Sequence, residues 1–470
     1  MSPYVVLHAP GLEAMAQTLA SQMGSAEPLC TADIGKCTPD AEDGSNSTAV
    51  FWDTFPSASG EKDPNVKVMH SKLVDKHVVL LLSQDDTSNS FAQLSLVLWL
   101  QRFIVPNPDE KYAAGKWKDT VPDGAYTAAS VASLSIVIPW YRYCQMERTS
   151  RWTRTGDDKK PWANNLPSGM WLDVPTAQTY ASLLSADPPP LLDAAIPAPP
   201  IPPKRLLLID LHDDLKGLPV LERTLTASGK WANPPKPYDL PTGAGTYFAS
   251  AFHVFLTTTY RAAVADLAKV SIVFPDVGAY RRFNEMVKVC LSGLSEEQVL
   301  FIEKSRVGTA VTQSEVLNYF DKAGNKVQKQ ALPDGAQVLV PDDFTNSGST
   351  LFGAGTIIRK HSGGTMSVAA FVTHFVAKYD KKVVDAFVQK LYSEGGNASD
   401  LDHFYTTDTV ACSAAWLQAE VAKRDGPSRC TVTSVAPVIA GWLKESGVPA
   451  PSPVPSLSPL SMIPCMSPRK

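Results

Sequence analysis

The sequence predicts an α/β protein, with mostly parallel sheets flanked by helices and two successive α/β units. Three observations lead to it. Short apolar, β-branched runs recur at Tyr4–His8, His77–Leu82, Ser135–Ile138, Arg205–Ile209, Ser271–Phe274, Gln337–Val340 and Ser367–Val372. Strands that are apolar at successive positions, rather than alternating, are covered on both faces, as in parallel sheets. Between them lie stretches with helical spacing: Leu12, Met15 and Leu19 within 11–22, and Phe91, Leu94 and Leu98 on one face of the next helix. Finally, 470 residues exceed what one ordinary core organises.

Loops and boundaries follow from the same pattern. Residues 151–170 and 187–204 are polar or proline-rich and read as loops around a short helix at 175–185. The stretch 228–245 reads as a linker. The expected division is an N-terminal unit over 1–240, with insertions near 151–170, 187–204 and 220–240, and a C-terminal unit over 245–447. A Pro/Ser-rich tail, 448–470, completes the chain and is expected to be disordered or extended.

Composition narrows the class of partner. Hydrophobic residues make up 44% and charged residues 19%, as in a soluble globular protein. A formal net charge of −4 gives no general attraction to nucleic acid or to an anionic membrane, so neither is expected as a partner. An anionic substrate must then be gripped locally. The seven cysteines are scattered and form no CxxC pair, which points to reduced thiols rather than a disulfide frame or zinc site. The N-terminus lacks a basic, apolar leader, and no apolar run approaches the ~20 residues that span a bilayer. A cytoplasmic protein is expected, with an organelle left open.

The chemistry concentrates in VLVPDDFTNSGSTLFGAG, from residue 338. Asp342 and Asp343 stand at the carboxyl end of a strand, where open α/β sheets bind ligands. Asn346, Ser347, Gly348, Ser349 and Thr350 then form a loop of small and hydroxyl residues leading into a helix. Such a loop lets backbone amides approach a phosphate, and the helix adds its N-terminal N–H groups. Paired carboxylates hydrogen-bond the vicinal hydroxyls of a sugar or hold Mg²⁺. The plain alternative is a solvated acidic turn capping a helix, which suits a lone Asp-Asp better than this ordered series. In LLLIDLHDD (206–214), Asp210 and His212 lie two apart at a strand end and are expected on one face. A satisfied core histidine is the plain alternative there.

These segments resemble ribose-phosphate diphosphokinases, also called phosphoribosyl-pyrophosphate synthetases. The 342–350 segment is similar to the phosphoribosyl-binding signature that they share with type I phosphoribosyltransferases. Asp210-Leu-His212 resembles their Asp-Leu-His element, and IVFPDVGAYRRF (272–283) their Pro-Asp-x-Gly element, which supplies Asp276. Lys304 and Arg306 of FIEKSRVG match a flap carrying Lys-x-Arg, and IPWYRYCQMER (138–148) resembles Ile-Pro-Tyr-x-x-Tyr. The resemblance implies two type I phosphoribosyltransferase-like domains with a site between them. It implies transfer of the diphosphoryl group of ATP to ribose 5-phosphate, Mg²⁺ as cofactor and a homo-oligomer. By the same carry-over, Asp342 and Asp343 orient the ribose and its metal, and Asn346 to Thr350 hold its 5-phosphate. Asp210, His212 and Asp276 serve Mg²⁺ and the triphosphate, His212 with a catalytic part. Lys304 and Arg306 close over the transferring group, and Phe55 and Arg148 contact the nucleotide.

Two departures stand out. Gln145, Met146 and Glu147 replace an Arg-Gln-Asp element, and FPSASGEKDPNVKV (55–68) replaces Phe-x-Asp-Gly-Glu. Met146-Glu147-Arg148 and the Pro-Asp-x-Gly-Ala run look closer to the plant-type, phosphate-independent class. A non-catalytic regulatory or scaffold subunit is the main alternative, and a true phosphoribosyltransferase a lesser one.

Overall fold

The structure is a computed structural model, described here over residues 4–24, 30–31, 49–56, 62–85, 89–106, 126–145, 152–154, 170–172, 176–191, 196, 198–212, 248–264, 266–307, 310–361, 365–394 and 399–445. The first unit runs β1 (Tyr4–His8), α1 (Glu13–Gln22), β2 (His77–Leu81), α2 (Ser90–Gln101), β3 (Ser133–Ile138), α3 (Thr176–Leu184), β4 (Lys204–Ile209) and a short β5 (Phe248–Ala249). These five strands form one parallel sheet in the order β1-β2-β3-β4-β5. Successive side chains alternate between two covered faces. Leu7, Leu80, Ile136 and Leu208 pack with residues of α2 and α3, while Val6, Val79, Val137 and Leu207 pack with residues of α1. That double burial is why these strands read as unbroken apolar runs.

The second unit runs α4 (Ala251–Phe255), β6 (Val270–Phe274), α5 (Val277–Cys290), β7 (Val299–Val307), β8 (Ala310–Phe320), β9 (Lys326–Lys329), β10 (Gln337–Thr345), α6 (Ser349–Lys360), β11 (Ser367–Phe375), α7 (Lys381–Leu391), β12 (His403–Thr407), α8 (Ala411–Val421), β13 (Cys430–Thr433) and α9 (Ala436–Glu445). Its sheet has the order β9-β8-β7-β6-β10-β11-β12-β13. β7 to β13 pair in parallel through β6 and β10, and β8 and β9 add an antiparallel edge. Phe252, Phe283 and Phe371 fill one face of this sheet, and Phe352, Phe387 and Phe404 the other.

Two expectations are revised. Phe91 is 80% exposed, and α2 instead buries Ala92, Leu96, Val97 and Leu100. The adjacent stripe is equally apolar and broader, and buried Gln93 is satisfied by exchanging two hydrogen bonds of 2.8 and 2.9 Å with the Ser83 backbone. At the far edge of the second sheet, Cys430–Thr433 adds a strand before α9 begins at Ala436. The two units also interleave more than a boundary at 240–245 implies. β5 joins the first sheet, and α9 returns to it, with Ile439, Trp442 and Leu443 packing in one cluster with Met15, Leu19 and Val79. The first sheet has an apolar face that α1 alone leaves incompletely covered. The expected linker 228–245 and tail 448–470 lie outside the described residues, as does most of the 151–170 insertion. Among the described residues no helix is long and apolar enough to cross a membrane.

If α9 is the cover of the first sheet, truncating one fully buried side chain on it should act on that sheet. Ile439→Ala should destabilise the protein by about 2–5 kcal/mol, the usual cost of a buried aliphatic truncation. A lower urea midpoint, with faster hydrogen exchange in β1 and β2, is the expected result. Exchange changes confined to 399–445 would contradict the packing.

Candidate active site

The carboxyl ends of β4, β6 and β10 meet around a cavity of about 380 Å³. Asp342, Asp343, Asn346, Ser347, Ser349 and Thr350 line it from one side, Asp276, Ala279 and Arg282 from the start of α5, and His212 from the segment after β4. Gly348 shapes the loop. It sits at φ +73° as the N-cap of α6, and a Cβ there would lie 2.4 Å from the Phe387 ring. Only glycine takes this conformation without strain in so tight a place. Its N–H donates to Thr345 Oγ1 (3.1 Å), and Asn346 Oδ1 accepts from the Lys378 N–H (3.3 Å), which ties the loop to the 3-10 turn Ala377–Tyr379 that follows β11. The first turn of α6 then presents N–H groups that no earlier turn can satisfy, a favourable place for an anion.

Asp343 is the electrostatic centre. Its side chain is 2% exposed, and Oδ2 takes both an ion pair from Arg282 Nη1 and a 2.6 Å contact from His212 Nδ1. Burial pushes its pKa up, but Arg282, His212 and neighbouring hydrogen bonds outweigh that and hold the carboxyl well below the usual range. Asp276 is the N-cap of α5, accepting from the Ala279 N–H at 2.9 Å. Gly278 keeps that carboxylate accommodated, since a Cβ there would approach Asp276 Oδ1 to 3.1 Å. Asp342 Oδ1 accepts from the Asp343 N–H (3.0 Å). Behind the site, fully buried His374 has Nε2 3.0 Å from the Ile209 carbonyl and Nδ1 2.9 Å from Thr409 Oγ1. Burial lowers its pKa to about 4.

Most sequence-predicted site residues therefore come together, but not all. Asp210 is absent from the cavity lining, and its carboxylate instead takes hydrogen bonds from α4 and β11. The strand ends at Ile209 and Asp210 adopts φ +39°, so the two-residue alternation that would align it with His212 does not hold. Arg148 lies outside the described residues. Phe55 is placed by its backbone alone, opposite Asp63 in the hairpin of Val50–Pro56 with Lys62–Val68. Lys304 and Arg306 are likewise placed by backbone, opposite Gln313 and Val311 in the β7–β8 pair. Because β7 pairs with β6 only as far as Phe301, this hairpin extends past the sheet on the cavity side.

Two residues were missed by sequence reasoning. Arg282 belongs to the Pro-Asp-x-Gly run, one α-helical turn beyond Gly278, and that spacing was the available signal. Gln313 gave none. Its Nε2 donates to the carbonyls of Pro275 (3.2 Å) and Thr350 (3.4 Å), and its amide occupies the space that a side chain on Gly353 would fill. It thus fastens the flap hairpin to both walls of the site.

The charges make a pH test with a definite sign. His374 is lowered in the folded state, so its contribution is complete above about 6.5 and is lost toward about 4. Asp343 is also lowered, so its contribution is present above the ordinary carboxylate pKa of about 3.9 and falls away in acid below that. Arg282→Met should leave a buried carboxylate without its cation and cost about 3–5 kcal/mol. Urea unfolding at successive pH values is expected to show that loss above pH 4, shrinking as Asp343 protonates. A variant as stable as the parent at pH 7 would show the pair to be unimportant.

No family model matches the chain. Among curated proteins it is 28% identical over 144 residues to "Ribose-phosphate pyrophosphokinase 4" of Oryza sativa subsp. japonica, a match covering 31% of this chain and 36% of that protein. It is 28% identical over 144 residues to "Ribose-phosphate pyrophosphokinase 3, chloroplastic" of Arabidopsis thaliana, covering 31% and 29%. It is 29% identical over 126 residues to the ribose-phosphate pyrophosphokinase of Hyphomonas neptunium, covering 26% and 35%. The matched stretch thus spans about a third of the length of these relatives. Among solved structures, phosphoribosylpyrophosphate synthetase from Mycobacterium smegmatis superposes with a TM-score of 0.50 at 16% identity, covering 93% of this chain and 96% of that one, which is a likeness of fold. Over about a third of its length the chain is thus similar to ribose-phosphate pyrophosphokinases, plant proteins among them, and its fold is that of a phosphoribosylpyrophosphate synthetase.

Proposed function

We propose that this chain is a ribose-phosphate diphosphokinase, moving the diphosphoryl group of ATP onto the anomeric hydroxyl of ribose 5-phosphate to give phosphoribosyl pyrophosphate and AMP. The observation that carries this reading is the single cavity in which the carboxylates Asp276 and Asp342 face the amide and hydroxyl arc of Asn346, Ser347, Ser349 and Thr350. An arc at a helix N-terminus suits a phosphomonoester, and an adjacent carboxylate suits the vicinal hydroxyls of its sugar. Asp342 takes that sugar role. Asp343, held by Arg282 and His212, acts by fixing those two groups at the cavity wall.

Mg²⁺ fits this donor set. It favours oxygen ligands, keeps several waters and usually takes one or two carboxylates together with substrate phosphates. Asp276 and Asp342 supply such oxygens, and the described residues contain no self-sufficient group of three metal-ligating side chains. When bound, the ion offsets triphosphate charge. His212, already joined to Asp343, serves the nucleotide phosphates in this reading, with Lys304 and Arg306 closing from the flap. Reaction then rests on positioning and on cations that meet charge developing on the non-bridging oxygens.

The departures at Gln145, Met146 and Glu147 favour two further statements. One is the alternative of a non-catalytic, diphosphokinase-like subunit, which changed nucleotide elements would suit. The other is that an active enzyme works without added orthophosphate, as in the plant-type class that the resemblance points to.

One assay separates these readings. AMP formation from ATP and ribose 5-phosphate is followed with Mg²⁺ in a phosphate-free buffer. The parent chain should be active there, and Lys304→Ala should lower kcat by about 10²–10³-fold with a much smaller change in KM. An inactive parent favours the non-catalytic reading, whereas a variant within about threefold of an active parent removes Lys304 from the transferring step. A strict requirement for orthophosphate overturns the class assignment alone.

A further inference from the structure

We propose that Asp210 is a positioning residue that joins the two α/β units and thereby sets His212 against Asp343, rather than a ligand to metal. It is 7% exposed. Its Oδ2 accepts from the N–H groups of Ala251 (2.9 Å) and Phe252 (3.1 Å) at the start of α4, and from Thr373 Oγ1 (2.6 Å) on β11. Its own carbonyl and that of Ile209 lie 3.3 and 3.0 Å from His374 Nε2, also on β11. The end of β4 in the first unit is therefore held by side chain and backbone to the second. A carboxylate oxygen saturated by three donors, outside the cavity lining, is a poor ligand for an ion at Asp276 and Asp342.

The backbone explains how this reaches His212. A non-glycine residue at φ +39° is strained and persists where its surroundings over-determine it. The contacts to α4 and β11 supply that. In continued strand, residues 210 and 212 would share one face. The left-handed residue separates them, sending Asp210 into the joint between the units and letting His212 reach Asp343 at 2.6 Å. His212 also lies edge-on to Phe344, 5.0 Å between ring centres.

This inference rests on the proposed function only in its kinetic arm. The decisive measurement needs no activity. The coupling between His212 and Asp343 is obtained from urea unfolding of His212→Ala, Asp343→Asn and the double variant in the full chain. It is then measured again with Asp210→Ala and with Asp210→Asn. Asp210→Ala should reduce the coupling by at least about half, and Asp210→Asn, which keeps an acceptor oxygen, should largely restore it. Should Asp210→Ala fail to fold, Thr373→Val removes one of the three donors and carries the same cycle. An undiminished coupling in a merely less stable protein overturns the proposal in favour of a purely structural part. In the kinetic arm, the Mg²⁺ concentration for half-maximal AMP formation should be unchanged by Asp210→Asn. A rise of about tenfold or more is the signature of a lost ligand and would also overturn it.

Discussion

The buried carboxylate of Asp343 is the constraint on which the site depends. A charge this far from water is tolerated only when it is paired, and the pairing here is made by residues from three different elements. Arg282 comes from the second turn of α5, His212 from the segment leaving β4, and Asp343 from β10. The pairing therefore fixes three strand ends relative to one another. The cavity is what remains between them once that is satisfied. Asp276, Asp342 and the hydroxyls of the α6 loop line its walls.

Around that centre the molecule uses backbone groups and neutral donors more than further ion pairs. The loop before α6 is shaped by Gly348 and tied by Thr345 and Asn346. The flap is fastened through the amide of Gln313. The joint between units is made from a buried imidazole, threonine hydroxyls and the start of a helix. Interactions of this kind are directional and short-ranged, and they lose little to salt.

Much of this was legible in the sequence, for physical reasons that differ by element. The strands announced themselves because both faces of each sheet are covered, leaving no polar alternation to blur the pattern. The 342–350 segment was legible because a strand end, a glycine forced to positive φ and hydroxyls at a helix start are local requirements. Arg282 was within a quoted run, yet its task depends on Asp343, sixty-one residues later by the numbering. Asp210 was misplaced because one left-handed residue cancels an inference from strand periodicity. Phe91 was misassigned because α2 has two apolar stripes, and neighbouring elements choose between them. Gln313 was invisible, since its partners are backbone carbonyls with no letter in the sequence.

The return of α9 to the first sheet has a consequence for how the chain is made. During synthesis the five strands of the first sheet leave the ribosome long before residues 436–445 exist to cover them. The face formed by Val6, Val79, Val137 and Leu207 stays partly bare through that interval. The N-terminal half is thus not a self-sufficient folding unit in the order of its manufacture. Its completion waits for α9, which makes premature termination, rather than point substitution, the event most apt to leave a sticky, unfinished product.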